Sequence, residues 1–254
     1  MLDYLFIFIL ALNLLVGILL GMSSIGGFLL PLIYVGFLQL PLRESLALSF
    51  LSFAIAGIIG SYTYWKSKNI DMKLAIIISI GSIPGAFLGV QLNVMTPDHI
   101  ATLILYIFVL ISGVSLLFNG KNDQGSTSTT NILEKKWFVL LLGFTTATIC
   151  ALSGAGGPIL LVPLLTKLGL SIRVTVGVCL FNSVVIALPS MLGYFQYANM
   201  ETLTPLIVAS AIGQLAGILT GSYLSNKAEL NQLRFFITWF TILTATYMII
   251  TLFI

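Results

Sequence analysis

The chain has 254 residues, of which 58% are apolar and 7% charged, with a net charge of +3. Soluble domains carry charge on roughly a quarter of their residues, so this composition excludes water as the main solvent and implies no nucleic-acid partner. Two cysteines, both in apolar surroundings, and one histidine indicate neither a disulfide framework nor a metal cluster, and no cofactor is expected.

The first apolar segment, residues 4–21, follows Asp3 and has no basic n-region and no clear small-residue cleavage site, so it reads as a retained membrane segment rather than a signal peptide. It runs into SSIGGFLLP, residues 23–31, where glycines and a proline interrupt the apolar run. Further apolar segments lie at 26–42, 44–65, 72–93 and 99–118. The stretch 74–92 carries no charge, a length that suits a bilayer core of about 30 Å. Residues 119–136, NGKNDQGSTSTTNILEKK, have the composition of a solvated linker. Five more segments follow at 137–152, 156–170, 173–198, 202–224 and 231–254. The short alternating strands of a membrane β-barrel are absent. The fold class is therefore all-α, a polytopic helical membrane protein.

The second five segments repeat the first. At an offset of 130, Leu30, Leu38, Leu40, Arg43, Tyr64 and Asn69 meet Leu160, Leu168, Leu170, Arg173, Tyr194 and Asn199. After a two-residue slip, Gly81, Gly85 and Gly89 meet Gly213, Gly217 and Gly221. The chain thus divides into a first transmembrane repeat at 1–118, a linker at 119–136 and a second repeat at 137–254. The overlapping GxxxG spacings put small residues on one helix face, which lets a neighbouring backbone approach in lipid. Such faces pack equally well within one chain or between two, so a homodimer stays open.

Basic residues in short loops mark the cytoplasmic side. Lys66, Lys68 and Lys73 follow segment three, whereas the matching loop near 196–201 has no basic residue; the next loop reverses this, with Lys227 and Arg234 in the second half and none around Asp98 and His99. The linker carries Lys121, Lys135 and Lys136. One arrangement satisfies all five loops: a multi-pass protein of the cytoplasmic membrane, both termini outside, the linker inside, and the halves inserted as inverted repeats, as in many secondary transporters.

The break at 23–31 has its counterpart at SGAGGPILL, residues 153–161. No Asp, Glu, Lys, Arg or His occurs from Gly17 to Pro41 or from Trp137 to Thr166, and the second segment of each half is shorter than the ~20 residues that span a bilayer. The expectation is a pair of hairpins that dip in from opposite faces, with glycine-rich tips near the bilayer middle. Irregular backbone at that depth must line a cavity or be buried in protein. Pro158 suits the first turn of a helix, whose free N–H groups and positive dipole end form a site for an anion with oxygen atoms.

These residues resemble the TauE/SafE family, the sulfite exporter or TSUP group, whose halves each carry a Gly-Gly turn followed by an apolar segment with proline. SGAGGPILLVPLL matches that motif closely, SSIGGFLLPLI less so, and RVTVGVCLFNS is similar to the family's run of small and hydroxyl residues after a basic one, with Cys179 at a place where a hydroxyl is common. The resemblance covers nearly the whole chain. It implies export of sulfur-containing anions such as sulfite or organosulfonates.

The candidate substrate-binding residues are Ser23, Ser24, Gly26 and Gly27 at the first tip and Ser153, Gly154, Gly156 and Gly157 at the second, with Ser49, Ser52, Asn182 and Ser183 inside segment three of each half. Arg43 and Arg173, at the starts of those segments, are candidate entrances for an anion. Tyr62, Tyr64, Trp65, Tyr194, Phe195 and Tyr197 read as interfacial anchors, and His99 as a solvated residue at a helix start. No HExxH, intramembrane acid pair or histidine within a span supports an intramembrane enzyme. A carrier of another oxyanion or a carboxylate with ion coupling, and a non-transporting assembly subunit, are the alternatives. No Asp or Glu lies well inside a segment to carry a proton.

Overall fold

A computed structural model describes residues 2–23, 26–118, 133, 135–154, 156–224 and 230–252. The first half contains helices α1 (Leu2–Ser23), α2 (Leu29–Gly36), α3 (Leu42–Lys66), α4 (Met72–Met95) and α5 (Asp98–Phe118). The second contains α6 (Lys136–Ser153), α7 (Gly157–Lys167), α8 (Ile172–Phe195), α9 (Met200–Leu224) and α10 (Leu230–Leu252). Most of the expected segments agree within about three residues. Segment two is the exception, because the chain leaves α2 at Gly36 and passes through Gln39 at φ 51° before Pro41 starts α3. Residues 119–132 and 134, most of the expected linker, lie outside the described residues, as do Ser24 and Lys227.

Among the described residues, seven helices are long and apolar enough to cross a membrane: α1, α3, α4, α5, α6, α8 and α9. Their outer faces are greasy, as along α4, where Ile76, Ile80, Ile83 and Phe87 recur at helical spacing and are exposed as a lipid-facing stripe is. The helices α2 and α7, of 8 and 11 residues, reach about 12 and 16 Å at 1.5 Å per residue, too little for a core of about 30 Å.

Glycine contacts set the helix directions. Gly57 and Gly60 of α3 lie on Val184 and Leu180 of α8, and Gly177 lies on Tyr64 and Asn69; the two central helices therefore run antiparallel. Along α4, Gly81, Gly85 and Gly89 meet the carbonyls of Leu140, Phe144 and Thr148 of α6, a parallel pair. Along α9, Gly213, Gly217 and Gly221 meet the carbonyls of Leu10, Leu14 and Ile18 of α1 in the same way. Helices α5 and α10 run antiparallel, with Gly113 on Ile242 and His99 beside the Leu252 carbonyl. Exchanging first-half helices for their second-half counterparts turns the α4–α6 pair into the α9–α1 pair and returns α3–α8 and α5–α10 to themselves.

Following these directions gives the bundle two ends. At one, Arg43 at the start of α3 meets Asp98 of α5 at 3.4 Å and stacks over Tyr197 past α8, while Glu44 accepts from the Asn199 N–H. At the other, Lys66, Lys68, Lys73, Lys135, Lys136, Lys167 and Arg173 are exposed. Asp71 caps α4 there through the Leu74 N–H. The core falls into two clusters. One gathers α2 and its N-cap (Leu30, Leu32 and Phe28) with the Arg43-end parts of α3 and α8 (Leu46, Leu48, Tyr194). The other gathers α7 (Leu161, Leu165) with the Lys66-end parts of α4, α6 and α8 (Ile78, Val139, Val178). The two short helices thus occupy opposite ends of the bundle.

Candidate functional site

Both glycine-rich turns come to one ring. A Cβ at Gly27 would stand 2.8 Å from Phe53, and one at Gly156 would stand 3.4 Å from the same ring. Phe53 lies at the middle of α3 (Leu42–Lys66), so the turns approach each other deep in the bundle. Gly154 at φ 70° and Gly156 at φ 81° adopt the left-handed region that glycine alone enters without strain. Pro158 sits in the first turn of α7, where its missing N–H is no loss.

The carbonyls freed by the break in α6 are bonded. Tyr194 Oη donates to the Ala151 carbonyl at 2.7 Å, Asn93 Nδ2 to that of Leu152 at 2.7 Å, and the Gly154 N–H to that of Cys150 at 2.9 Å. The Cys150 thiol lies 3.3 Å from the Gly156 carbonyl and donates to it. This corrects the expectation for Tyr194: it is no interfacial anchor but fully buried, because a broken helix in an apolar medium needs a hydroxyl more than the headgroups do. Tyr62, Trp65 and Tyr197 are exposed at helix ends as expected. Both cysteines are buried and free of disulfides.

Each half also buries a polar group centred on an asparagine. In the first half, Asn13 of α1 donates to Tyr34 Oη of α2 at 2.6 Å and accepts from Ser52 of α3 at 2.9 Å and Ser210 of α9 at 3.1 Å. Ser49 donates to the Ser45 carbonyl at 2.7 Å. In the second half, Asn182 of α8 accepts from Ser79 of α4 at 3.2 Å, while its Nδ2 is buried without a partner. Ser153 and Ser183 are buried beside the second turn and in α8. Gln214 is fully buried with neither amide atom bonded, and Thr175 Oγ1 is also bare. Ser23 and Gly157 are the last residue of α1 and the first of α7. Of the two candidate entrances, Arg43 is engaged by Asp98, the Val94 carbonyl and Tyr197, whereas Arg173 is exposed.

The family model described as "Sulfite exporter TauE/SafE" matches residues 9–248. The chain belongs to that family. It is accordingly a multi-pass membrane transporter and not an enzyme. Among its relatives, the "Probable membrane transporter protein YdhB" of Bacillus subtilis (strain 168) is 24% identical over 219 residues, covering 84% of this chain and 87% of the relative. The "Probable membrane transporter protein YjnA" of the same organism is 22% identical over 242 residues, covering 89% of this chain and 93% of the relative. No solved structure matches the chain.

The turns and Asn182 stood out in the sequence, whereas Ser52, a candidate for the substrate there, has its hydroxyl engaged by Asn13, Ser210 and the Leu48 carbonyl and so belongs to the packing of the first half. Missing from that reading were Asn13, Tyr34, Phe53, Ser79, Thr175, Ser210 and Gln214. The signal for two of them was an amide standing inside an apolar segment, which is expensive there unless partnered or functional.

Proposed function

We propose that this transporter exports small sulfur-containing anions, sulfite or organosulfonates, and that the anion is held where the two glycine-rich turns approach each other. The carrying observation is the convergence of Gly27 and Gly156 on Phe53, and α8, which packs on α3 and α7, holds a buried and unpartnered donor at Asn182. Helix starts and bare N–H groups hold an anion without a buried Lys or Arg. The family description names sulfite export, which supports this substrate class.

The halves are inserted with opposite topology in this reading. It is supported by the antiparallel course of the equivalent pairs α3–α8 and α5–α10, since repeats related by an axis along the membrane normal would run parallel. With Lys66, Lys68, Lys73, Lys135, Lys136, Lys167 and Arg173 exposed at one end, and Arg43 at the other together with Glu44, Asp98 and Glu201, the positive-inside rule argues for the Lys66 end in the cytoplasm and both termini outside. Export then follows the membrane potential, because one charge moved through 100 mV yields about 2.3 kcal/mol, close to fiftyfold in concentration.

The test is efflux from proteoliposomes loaded with sulfite, methanesulfonate, sulfate or acetate, with voltage clamped by potassium and valinomycin and a pH gradient imposed separately. Voltage-driven efflux of sulfite or the sulfonate is expected. Efflux that follows pH and ignores voltage would replace the uncoupled mechanism with proton coupling, and efflux of acetate alone would replace the substrate class.

A further inference from the structure

The two halves place related residues at related positions, and at the centre these are chemically different. One face of α3 carries Ser45, Ser49 and Ser52; 130 positions on, the same face of α8 carries Thr175, Cys179 and Asn182. All six are buried. In α3 every hydroxyl is used: Ser45 bonds the Leu40 carbonyl at 3.4 Å, Ser49 bonds that of Ser45, and Ser52 is tied into the Asn13–Tyr34–Ser210 knot. In α8, Thr175 Oγ1 and Asn182 Nδ2 have no partner. The next position along repeats the contrast, since Phe53 fills the space against the first turn and its counterpart is Ser183.

Resting on the proposed anion transport, we infer that the carrier has one anion site rather than two, in the second half, at the start of α7: Asn182 Nδ2 is the donor that recognises the anion, and Ser79 is the positioning residue that aims it. The Ser79 hydroxyl occupies Asn182 Oδ1 and so leaves the N–H side of the amide for the ligand. Asn182 lies on the face of α8 between Val178 and Cys179, which pack in one cluster with Leu161 and Leu165 of α7. Ten residues back from Lys167 is Gly157, and ten on from Ile172 is Asn182. In a helical hairpin these share a level, which puts the bare amide donor at the height of the N–H groups that start α7. Among the described residues, Asn93 and Gln214 also hold bare buried amide atoms, but Asn93 leaves only its Oδ1 acceptor, and Gln214 leaves both a donor and an acceptor, which suits water. A group that leaves only donors suits a ligand that offers only acceptors, as a sulfonate head or a sulfite dianion does.

The experiment compares Asn182→Asp, Asn182→Ala, Ser79→Ala, Ser79→Thr, Ser183→Phe and Ser52→Ala with wild type, reading sulfite and methanesulfonate efflux from proteoliposomes, KM, and melting temperature with and without each anion. Asn182→Asp and Asn182→Ala are expected to lose roughly tenfold to a hundredfold in Vmax/KM, the worth of one hydrogen bond to a charged group. Ser79→Ala should raise KM more than it lowers Vmax, with rescue by Ser79→Thr. Ser183→Phe should stop flux, and Ser52→Ala should lower the melting temperature while keeping KM. Wild-type Vmax/KM in a well-folded Asn182→Ala, or an equal KM rise in Ser52→Ala, overturns the single site. If wild type moves neither anion, the substrate reading fails by itself. The site is then decided by melting: any anion of the panel that stabilises wild type must fail to stabilise Asn182→Asp, and if it stabilises both, or none stabilises wild type, the inference is wrong.

Discussion

The two halves match more closely at the seams of the bundle than at its centre. At the seams the halves are the same structure twice: Leu10, Leu14 and Ile18 lie 130 positions before Leu140, Phe144 and Thr148, and each carbonyl of both triplets meets a glycine of a GxxxG run. At the centre, Ser52 faces Asn13 where Asn182 faces Ser79, and Phe53 corresponds to Ser183. Close backbone packing is the main source of helix association in lipid, and it admits no side chain at those six glycines, so the seams have little freedom to change. Positions 52, 53, 182 and 183 at the centre carry side chains and are under no such limit. There the difference tells which half is built to stay closed and which to take a ligand.

The largest effect should come from breaking a seam. In Gly85→Leu or Gly217→Leu, the added Cβ would overlap the Phe144 or Leu14 carbonyl, and backbone cannot move aside as a flexible side chain can. Overpacking costs about 1–3 kcal/mol even where side chains yield; a larger loss is expected here, read as absence of a monodisperse peak in detergent. Equal damage from both substitutions would support the equivalence of the seams. A folded Gly85→Leu beside an unfolded Gly217→Leu would break it.

The second prediction moves to the turn. Gly156→Leu should abolish efflux while insertion and the size-exclusion profile persist, because the position has φ 81° and its nearest neighbour is the Phe53 ring at 3.4 Å, an ordinary contact rather than a seam. Wild-type flux in the folded variant would return this turn to a mere connector.

A third prediction concerns the closed half. Asn13→Ala removes the acceptor shared by Ser52 and Ser210 and the donor to Tyr34, leaving Ser52 only the Leu48 carbonyl and Ser210, at a cost of about 1 kcal/mol or more for the buried bonds lost. A lower melting temperature with KM for the anion unchanged is expected; a raised KM would put the knot in the binding site and erase the contrast between the halves.

Hydropathy and turn chemistry made the segments, the short second helices and the glycine seams legible, because each is a property of one helix or of a spacing within it. What escaped depended on a partner. Tyr194 looks like any aromatic at a segment end until the bare Ala151 carbonyl of another helix is placed beside its hydroxyl. Asn13 stands alone in an apolar segment, and only the meeting of α1, α2, α3 and α9 supplies its partners. The contrast between Phe53 and Ser183 could be read from the repeat alignment, yet its meaning needed the ring placed between both turns.

The smallest effect expected separates the two arginines, which the sequence treats as equivalents. Arg43 is held by Asp98 at 3.4 Å, by the Val94 carbonyl and over Tyr197 at 5.6 Å, so much of its field is already answered by a carboxylate. Arg173 is exposed at the end that also carries Lys66, Lys167 and the basic start of α6, where a summed positive potential attracts an anion before it enters. Arg173→Gln should therefore lower efflux about twofold to tenfold at low anion concentration, with the deficit shrinking at high salt as the charges are screened. Arg43→Gln should leave initial rates nearly unchanged and act on stability, through loss of the tie between α3, α5 and the α8–α9 connection. The check is the initial rate at two ionic strengths in liposomes sorted for orientation. An Arg43→Gln deficit that is the larger and salt-sensitive would make the Arg43 end the one the anion enters, and would reverse the direction of transport argued from the charge asymmetry.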